Sequence, residues 1–252
     1  MQTNVVQIAD GVHLVHGSHT NFVILEEDGA VTLVDTGYPG DRGLLESALR
    51  ATGHSLADVE AVVLTHGHVD HLGSAEWLRR QHGVPVQAHS SEHPNARGEV
   101  SEVISELELF KRIWQPNVFR FTLNAVRNGA LSFEHVSDLQ ALSEGQPADL
   151  PGNPVPIHTP GHTSGHVGLH LPDRGALLSG DALITVDVWN HADTGPQLIR
   201  PQFNTDHSQA AASLGALAEL DAEVVIPGHG DPYHGSPAEA VEVALARHHG
   251  GP

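Results

Sequence analysis

Four side chains that can bind a metal ion lie within six consecutive residues of the sequence. They follow the spacing His-x-His-x-Asp-His and are His66, His68, Asp70 and His71. Imidazole and carboxylate ligands together suit zinc, iron or manganese. The alternative is a polar surface turn that happens to be rich in histidine, in a chain that contains 21 His. Because four such residues in register are far less common by chance than two, we interpret the segment as part of a metal site.

The residues on either side of this segment predict a strand, a loop and a helix. Residues 61–64 are apolar and partly β-branched, which indicates a buried strand. Leu72, Ala75 and Leu78 recur at three-residue steps, which indicates a helix over residues 73–81. The four polar side chains are therefore expected on a short loop at the end of a rigid strand. A metal site requires such short, rigid support.

The composition limits the partners of the protein. The chain has 252 residues, with Lys+Arg 12 against Asp+Glu 31 and a formal net charge of −19. Because like charges repel, this excess disfavours a nucleic-acid backbone or an anionic membrane and favours a small-molecule substrate. The chain contains no cysteine, so thiolate zinc sites, disulfides and a cysteine nucleophile are excluded.

The sequence also bears on domain organisation and location. No linker, low-complexity tract or repeat divides it, so residues 1–252 are predicted to form a single domain. Residues 1–10 lack a basic region followed by an apolar core, so no signal peptide is expected. No apolar run approaches the length that spans a bilayer. We therefore expect a cytoplasmic protein without membrane association.

The order of the predicted elements indicates an α/β (α+β) fold. The chain opens with antiparallel strands, and Asp28-Gly29 between two apolar runs is a strong hairpin signal. Strands then alternate with helices, and Pro85 within a predicted strand at 84–88 suggests a sheet edge. Further strands are predicted at 132–136, 155–158, 167–171, 176–178 and 224–226, and further helices at 41–51, 206–220 and 236–247.

Residues 91–130 differ from the rest and are predicted to form a helical insertion. Apolar residues between Val100 and Trp114 recur at helical intervals, and Pro116 is expected to end that helix. A second apolar group follows between Val118 and Val126. Two interpretations stay open. The insertion either covers a cleft or forms a homodimer interface, or it is an ordinary pair of core-packing helices.

Three further metal-competent side chains share one local context. His162, Asp181 and His229 each follow a glycine in a loop, shortly after an apolar strand. A lone loop histidine is usually a surface residue, so each position is weak evidence by itself. Together with the first segment, however, they closely resemble the ordered signature of the metallo-β-lactamase superfamily. That signature is His-x-His-x-Asp-His, then Gly-His, Gly-Asp and Gly-His, and it is complete here within residues 21–229.

The resemblance implies a fold and a ligand set. The fold is a four-layer αβ/βα sandwich with its metal site along one edge, between the two sheets. The implied cofactor is a pair of divalent metal ions, with zinc favoured and iron or manganese as alternatives. The implied ligands of one ion are His66, His68 and His162. Those of the other ion are Asp70, His71 and His229. Asp181 would bridge the two ions.

The resemblance also assigns residues around these ligands. Asp35 matches an aspartate at a strand end that supports the metal site through a ligand. The alternative is a turn-forming aspartate without a role in the site. Loops that line the cleft in this family correspond to four residues that we expect to contact substrate, namely His19, Trp189, Asn190 and His191.

The implied activity is hydrolysis of a small ester, lactone or thioester. Two divalent metal ions lower the pKa of a shared water, and the resulting bridging hydroxide would attack the substrate carbonyl. Asp70 resembles the family carboxylate that carries the proton between the hydroxide and the leaving group. Because ligand imidazoles must be neutral, metal occupancy is expected to fall below about pH 6.

Several members of the superfamily are similar only in part. True β-lactamases of this fold usually have Cys or Ser where this chain has Asp181. Glyoxalase II carries a C-terminal helical domain with no counterpart in the short tail after His229. Quorum-quenching lactonases place a tyrosine shortly after the bridging aspartate, and residues 183–200 contain none. Persulfide dioxygenases hold one iron at positions equivalent to His66, His162 and Asp181. That class, a β-lactam hydrolase and a non-catalytic metal-binding member stay open as alternatives.

Overall fold

The computed structural model describes residues 4–249. Within that range, seven strands form a sheet in sequence order: β1 (Val5–Ala9), β2 (Val12–His16), β3 (Asn21–Glu27), β4 (Ala30–Val34), β5 (Val59–Val63), β6 (Val86–Ala88) and β7 (Gln140–Ala141). Strands β1 to β4 pair antiparallel, and β4 to β7 pair parallel. The predicted hairpin at Asp28-Gly29 is confirmed, because both residues have the positive φ that the tightest hairpin turns require.

The remaining strands form two smaller sheets. They are β8 (Val155–His158), β9 (Val167–Leu171), β10 (Ala176–Gly180), β11 (Ile184–Val186), β12 (Thr194–Gln197), β13 (Val224–Pro227) and β14 (Tyr233–His234). The five-stranded sheet has the order β14-β13-β10-β9-β8, and β11 pairs with β12. In the five-stranded sheet β10 and β13 run parallel, so their carboxyl ends lie at the same edge.

Alternating apolar side chains explain why the two large sheets stack. Along β3, Val23 and Leu25 pack into a core shared with the second sheet, whereas Phe22 and Ile24 pack into the core on the other face. Side chains of a strand point alternately to its two faces, so a strand that is apolar throughout must be covered on both. Each such buried side chain contributes about 1.5–3 kcal/mol to folding.

The described residues form eight α-helices. They are α1 (Arg42–Ala51), α2 (Val69–Leu72), α3 (Ala75–His82), α4 (His93–Ala96), α5 (Glu106–Arg112), α6 (Pro116–Arg127), α7 (His207–Ala218) and α8 (Pro237–His249). Helices α1 and α3 pack on the first sheet, and α7 and α8 pack on the second. The resulting order of helix, sheet, sheet and helix confirms the predicted four-layer α/β sandwich. None of these helices is long and apolar enough to cross a membrane.

The helical insertion is present, but its internal boundaries differ from the prediction. The helix predicted from Val100 begins only at Glu106, where Ser105 caps it by accepting a hydrogen bond from the Glu108 N–H. Pro116 begins α6 instead of ending α5. The first residues of a helix need no N–H donor, so proline is well tolerated there. The predicted homodimer through this segment stays a prediction, as does the single domain over residues 1–252.

Two predicted strand features are wrong. Residues 132–136 form no strand, and the edge of the first sheet is instead the two-residue strand β7. Pro85 does not mark a sheet edge, because β6 pairs with β5 on one side and β7 on the other. Pro85 precedes the strand and contributes only its carbonyl, which accepts a hydrogen bond from the Val62 N–H. A proline in that position removes no donor that the sheet uses.

Candidate metal centre

The predicted ligands come together at one edge of the sandwich. They lie on the loops that follow β5, β8, β10 and β13, which all end at this edge. The loop after β5 turns directly into α2, so Asp70 and His71 lie in the first turn of a helix. The four loops approach one another closely, and six of the seven predicted ligands are buried.

The first group of ligand atoms comes from three imidazoles. His162 Nε2 lies 3.2 Å from His66 Nε2 and 3.1 Å from His68 Nδ1. The second group pairs a carboxylate with two imidazoles. Asp70 Oδ2 lies 3.8 Å from His71 Nε2 and 3.6 Å from His229 Nε2. Within each group all the ligand atoms lie within 4.8 Å of one another.

Asp181 lies between the two groups and faces both. Its Oδ2 is 3.6 Å from His162 Nε2 and 3.1 Å from His229 Nε2, and its Oδ1 is 3.5 Å from His71 Nε2. Only 2% of Asp181 is exposed. One buried carboxylate therefore presents an oxygen to each triad.

Each imidazole in the centre has an inner ring nitrogen, which points toward the other ligands, and an outer ring nitrogen, which points away from them. In all five rings the outer nitrogen contacts a hydrogen-bond acceptor. The acceptors are Thr65 Oγ1 for His66, the Glu102 carbonyl for His68, Asp35 Oδ2 for His71, Asn204 Oδ1 for His162 and the His19 carbonyl for His229. Thr65 can accept from His66 because its own hydroxyl proton goes to Asp35. Each acceptor assigns the ring proton to the outer nitrogen and leaves a lone pair on the inner nitrogen.

This tautomer pattern fits metal ions and little else. Lone pairs on His66, His68 and His162 would face one another across about 3 Å, which is repulsive unless a cation lies between them. His71 Nε2 and Asp181 Oδ1 are fully buried and face each other at 3.5 Å, but neither makes a hydrogen bond of acceptable geometry. A buried polar atom without a partner costs about 1–3 kcal/mol, so such atoms point to a missing ligand. The residues present therefore fit a pair of metal ions.

A surface group shows how an ordinary histidine cluster differs. His89, Glu144 and His158 also lie close enough to hold an ion. There, however, His89 Nδ1 accepts from the Ser91 N–H, which assigns its proton to Nε2, the nitrogen that faces Glu144 at 3.9 Å. This ring offers no lone pair inward, so we interpret the group as a hydrogen-bonded surface cluster.

The charges of the centre divide its histidines into two classes. Burial and the neighbouring imidazoles hold the pKa of His66 and that of His162 well below the ordinary value. For His71 and His229, burial alone would lower the pKa, but the facing carboxylates of Asp181 and Asp70 outweigh burial and raise it. Burial would raise the pKa of Asp181, but His229 and His71 hold it well below its usual range.

Asp35 follows the last residue of β4 and contacts His71 on the side of the ring that faces away from the other ligands. Its Oδ1 accepts from the Thr65 N–H, and its Oδ2 accepts from the Thr65 hydroxyl and from His71 Nδ1, each at 2.8 Å. Its backbone has a φ of 60°, a left-handed conformation that aspartate tolerates better than most residues. This geometry gives Asp35 a positioning role toward His71.

We expect Asp35→Asn to weaken metal binding about 10–100-fold, the usual cost of losing a partner of a ligating histidine. Asparagine has an NH2 group in place of one carboxylate oxygen. That group faces either the Thr65 N–H or the His71 Nδ1–H, and because two donors cannot bond to each other, one of these hydrogen bonds is lost. The measurement is competition with a chelator of known zinc affinity. Asp58→Asn is the control, because Asp58 makes only solvent-exposed hydrogen bonds to Ser55. Equal zinc affinity in the Asp35 variant and the wild type would show that Asp35 does not position His71.

Sequence reasoning missed a buried carboxylate that joins two ligand loops. Glu92 is fully buried and accepts hydrogen bonds from Gly67 N, Asn95 Nδ2, Thr163 Oγ1 and Gly165 N at 2.6–3.0 Å. It therefore connects the loop of His66 and His68 to the loop of His162. An individual glutamate within the predicted insertion over residues 91–130 gives no local signal of this role.

Sequence reasoning also missed Tyr38 and His166. Tyr38 is buried beside the cavity that contains Asp70 and Asp181, and burial, then the charge of Asp70, raises the pKa of its hydroxyl well above the ordinary value. His166 Nε2 accepts from the Asp181 N–H at 3.0 Å, and burial lowers its pKa to about 3. Tyr38 therefore stays protonated and His166 stays neutral.

The four residues predicted to contact substrate lie together beside the centre. His19, Trp189, Asn190 and His191 line one cavity of about 440 Å³, and the rings of His19 and His191 pack edge to face with centroids 4.6 Å apart. His19 and His191 also line a smaller cavity that includes His229. Trp189 is largely buried against Phe203, so packing accounts for most of its side chain.

Comparison with known proteins shows the family of the chain. Residues 17–229 match the family model described as "Metallo-beta-lactamase superfamily". The chain belongs to the metallo-β-lactamase superfamily. The "Probable metallo-hydrolase YflN" of Bacillus subtilis is 31% identical over 251 residues, which cover 91% of this chain and 87% of YflN. A "Hydroxyacylglutathione hydrolase" of Alkalilimnicola ehrlichii is 31% identical over 210 residues, which cover 83% of this chain and 61% of that enzyme.

Solved structures of the superfamily have the same fold. A metallo-beta-lactamase family protein, TTHA1429 from Thermus thermophilus, superposes with a TM-score of 0.69 and 26% identity, covering 95% of this chain and 79% of its own. The metallo-beta-lactamase SMB-1 superposes with a TM-score of 0.68 at 18% identity, covering 98% of this chain and 95% of its own, and shows the fold alone. These findings confirm the predicted family, fold and enzyme class, a hydrolase of the metallo-β-lactamase fold.

Proposed function

We propose that the protein is a dinuclear metal-dependent hydrolase of a small ester, lactone or thioester. The observation that carries the proposal is the pair of triads that share one buried carboxylate and whose imidazoles are each oriented by a hydrogen-bond acceptor on the ring nitrogen that points away from the other ligands. His66, His68 and His162 would hold one ion, Asp70, His71 and His229 the other, and Asp181 would contact both. Zinc is the ion that these ligands favour, and iron or manganese would also fit.

A pair of divalent ions, when bound, supplies hydroxide from water at neutral pH and polarises a substrate carbonyl. The chain's own residues supply the rest of the chemistry. Asp70 is the more exposed of the two ligand carboxylates and lines the large cavity. Its Oδ2 faces the second triad, so its other oxygen, Oδ1, can take a proton and deliver it to a leaving group. Tyr38 lines the same cavity, and its hydroxyl, which stays protonated, would be available to donate a hydrogen bond to substrate.

The second triad distinguishes this proposal from the mononuclear iron alternative. A persulfide dioxygenase-like site would use His66, His162 and Asp181. It would leave His71 Nε2 buried against Asp181 Oδ1 at 3.5 Å, without a hydrogen bond of acceptable geometry and without a metal ion. The Asp35 contact that fixes the tautomer of His71 would then serve no purpose. The observed pattern therefore favours two ions over one, and the cavity beside Asp70 favours turnover over a non-catalytic metal protein.

The direct test is a panel of simple esters, γ-lactones and acyl thioesters, followed by titration of the acid released. We expect hydrolysis of at least one class by the metal-loaded protein and none after treatment with a chelator. Restoring zinc or manganese should restore the rate. Turnover that survives complete removal of metal would overturn the proposal, and so would no hydrolysis of any class by protein with full metal occupancy.

The raised pKa values of His71 and His229 predict how metal affinity depends on pH. In metal-free protein these imidazoles hold protons to a higher pH than an ordinary histidine, so a metal ion must displace them. Affinity should therefore rise with pH, about tenfold per pH unit for each proton displaced. The loss on acidification should begin at a higher pH than it would for unperturbed imidazoles, whose pKa is about 6.5. Zinc dissociation constants at about pH 8, 7 and 6 check this, and a constant value would contradict it.

A further inference from the structure

The largest cavity beside the metal centre extends away from it, beneath the helical insertion. Its volume is about 460 Å³, and His68, Asp70, His162, Asp181 and His229 form one end of it. The rest of the cavity lies between α5, α6, the loop that joins β11 to β12 and the loop after β12. A substrate whose carbonyl lies at the centre would therefore extend its remaining atoms into this cavity.

The wall beyond the centre is predominantly apolar. Representative lining side chains are Val103, Ile104, Leu109, Phe121, Ile199 and Phe203. Some apolar lining residues are strongly exposed to solvent, including Val103 at 51% and Leu131 at 82%. Apolar side chains that remain exposed along a cavity gain free energy when an apolar ligand covers them.

The described part of the same wall offers no positively charged lysine or arginine side chain that could pair with an anionic group on a substrate. Among the described residues that line the cavity there is no lysine or arginine, whereas Asp70, Glu106 and Asp181 supply carboxylates. Arg120 lines a different cavity, on the side of His191. A carboxylate or phosphate on the substrate chain would lose its hydration without gaining a partner, inside a protein of net charge −19.

We propose that the substrate carries an uncharged apolar chain that lies in this cavity, and that anionic chains are rejected. The proposal rests on the proposed function, because the hydrolysed carbonyl is placed at the metal centre. It narrows the substrate class to neutral esters, lactones or thioesters with an alkyl or acyl tail. Val103, Leu109 and Phe121 are then specificity-determining residues.

Chain length tests the proposal through activity. The 4-nitrophenyl esters of acetate, butyrate, hexanoate and octanoate differ only in their tail. Burying each methylene is worth up to about fourfold, so we expect kcat/KM to rise about two- to fourfold per added methylene until the cavity is filled. The mono-4-nitrophenyl ester of adipate differs from the hexanoate ester only in that a carboxylate replaces the terminal methyl group. It should react at least about tenfold more slowly than the hexanoate ester, because its charge is desolvated without a partner.

A cation placed in the wall should relax this discrimination. Val103→Lys adds a positive charge at an exposed lining position. The ratio of kcat/KM for the adipate monoester to kcat/KM for the hexanoate ester should therefore rise about tenfold. Leu107→Lys is the matched control, since Leu107 is 63% exposed on the same insertion but does not line the cavity. Because both positions are exposed, both variants should keep the wild-type Tm. A gain of the same size in the control would show that general charge, and not the cavity wall, sets the preference.

Binding of ketones that cannot be hydrolysed separates this proposal from the proposed function. Calorimetry on metal-loaded protein should show that 2-octanone binds more tightly than 2-butanone and more tightly than 7-oxooctanoate. Ester hydrolysis without dependence on chain length would overturn the tail proposal and keep the hydrolase. Tight binding of 2-octanone without hydrolysis of any ester would overturn the hydrolase and keep the apolar cavity. If the protein neither hydrolyses any ester nor binds ketones in a length-dependent way, both proposals are overturned.

Discussion

Replacing Asp70 with asparagine should lower kcat on the best substrate of the panel by about a hundredfold to ten-thousandfold. The amide has nearly the same shape as the carboxylate but cannot take up a proton, so the leaving group would depart unprotonated. His71, His229 and Asp181 all remain in place around the second triad. Metal content measured by mass spectrometry on the same sample should therefore stay close to that of the wild type.

The comparison variant for this experiment is Asp173→Asn, a carboxylate in an exposed turn before β10. It removes the same charge from the chain without touching the centre, and kcat should not change. Full activity of Asp70→Asn would remove Asp70 from the mechanism. Loss of activity together with loss of metal would assign Asp70 to metal binding and leave proton transfer to another group, such as Tyr38.

Replacing Glu92 with alanine should lower the free energy of unfolding by about 3 kcal/mol or more. The variant leaves four donors without their acceptor in a fully buried position, and each buried hydrogen bond to a charged group is worth about 1.5–3 kcal/mol. Urea unfolding of metal-free protein measures the effect without stabilisation by bound metal. The variant should also bind zinc more weakly, because Glu92 joins the loops of His66 and His162.

Glu134→Gln provides the matched control for Glu92. Glu134 is exposed and forms a surface ion pair with Arg80, and such pairs contribute at most about 1 kcal/mol. A loss of stability of the same size in both variants would indicate that Glu92 has no special role. Normal stability of Glu92→Ala would imply that water replaces the carboxylate between the loops.

The positions of the ligands were predictable from the sequence because they follow local rules. Each candidate ligand lies on a segment that follows a strand, with Asp70 and His71 in the short helix α2 after β5, and apolar runs identify strands well. The carboxyl ends of neighbouring parallel strands meet at one sheet edge, so residues at those ends come together whatever the details of the intervening segments. The resemblance to a known family then supplied the grouping into two triads.

The partners that orient the ligands were not predictable, because they depend on contacts between distant segments. The carbonyls of His19 and Glu102 fix His229 and His68, and a carbonyl carries no signal in the sequence. Asn204 reaches His162 from a loop more than forty residues away. The role of Pro116 was predicted wrongly for a different reason. A proline between two helical patterns can either end the first helix or begin the second, and the sequence looks the same in both cases.

Metal content is the most direct test of the central claim that the centre holds two ions. Protein purified without added metal or chelator should be analysed by inductively coupled plasma mass spectrometry, before and after dialysis with zinc. We predict close to two zinc or manganese ions per chain, falling to one or fewer in Asp181→Ala. Close to one iron per chain that zinc does not supplement, with oxygen uptake on a persulfide, would contradict this claim.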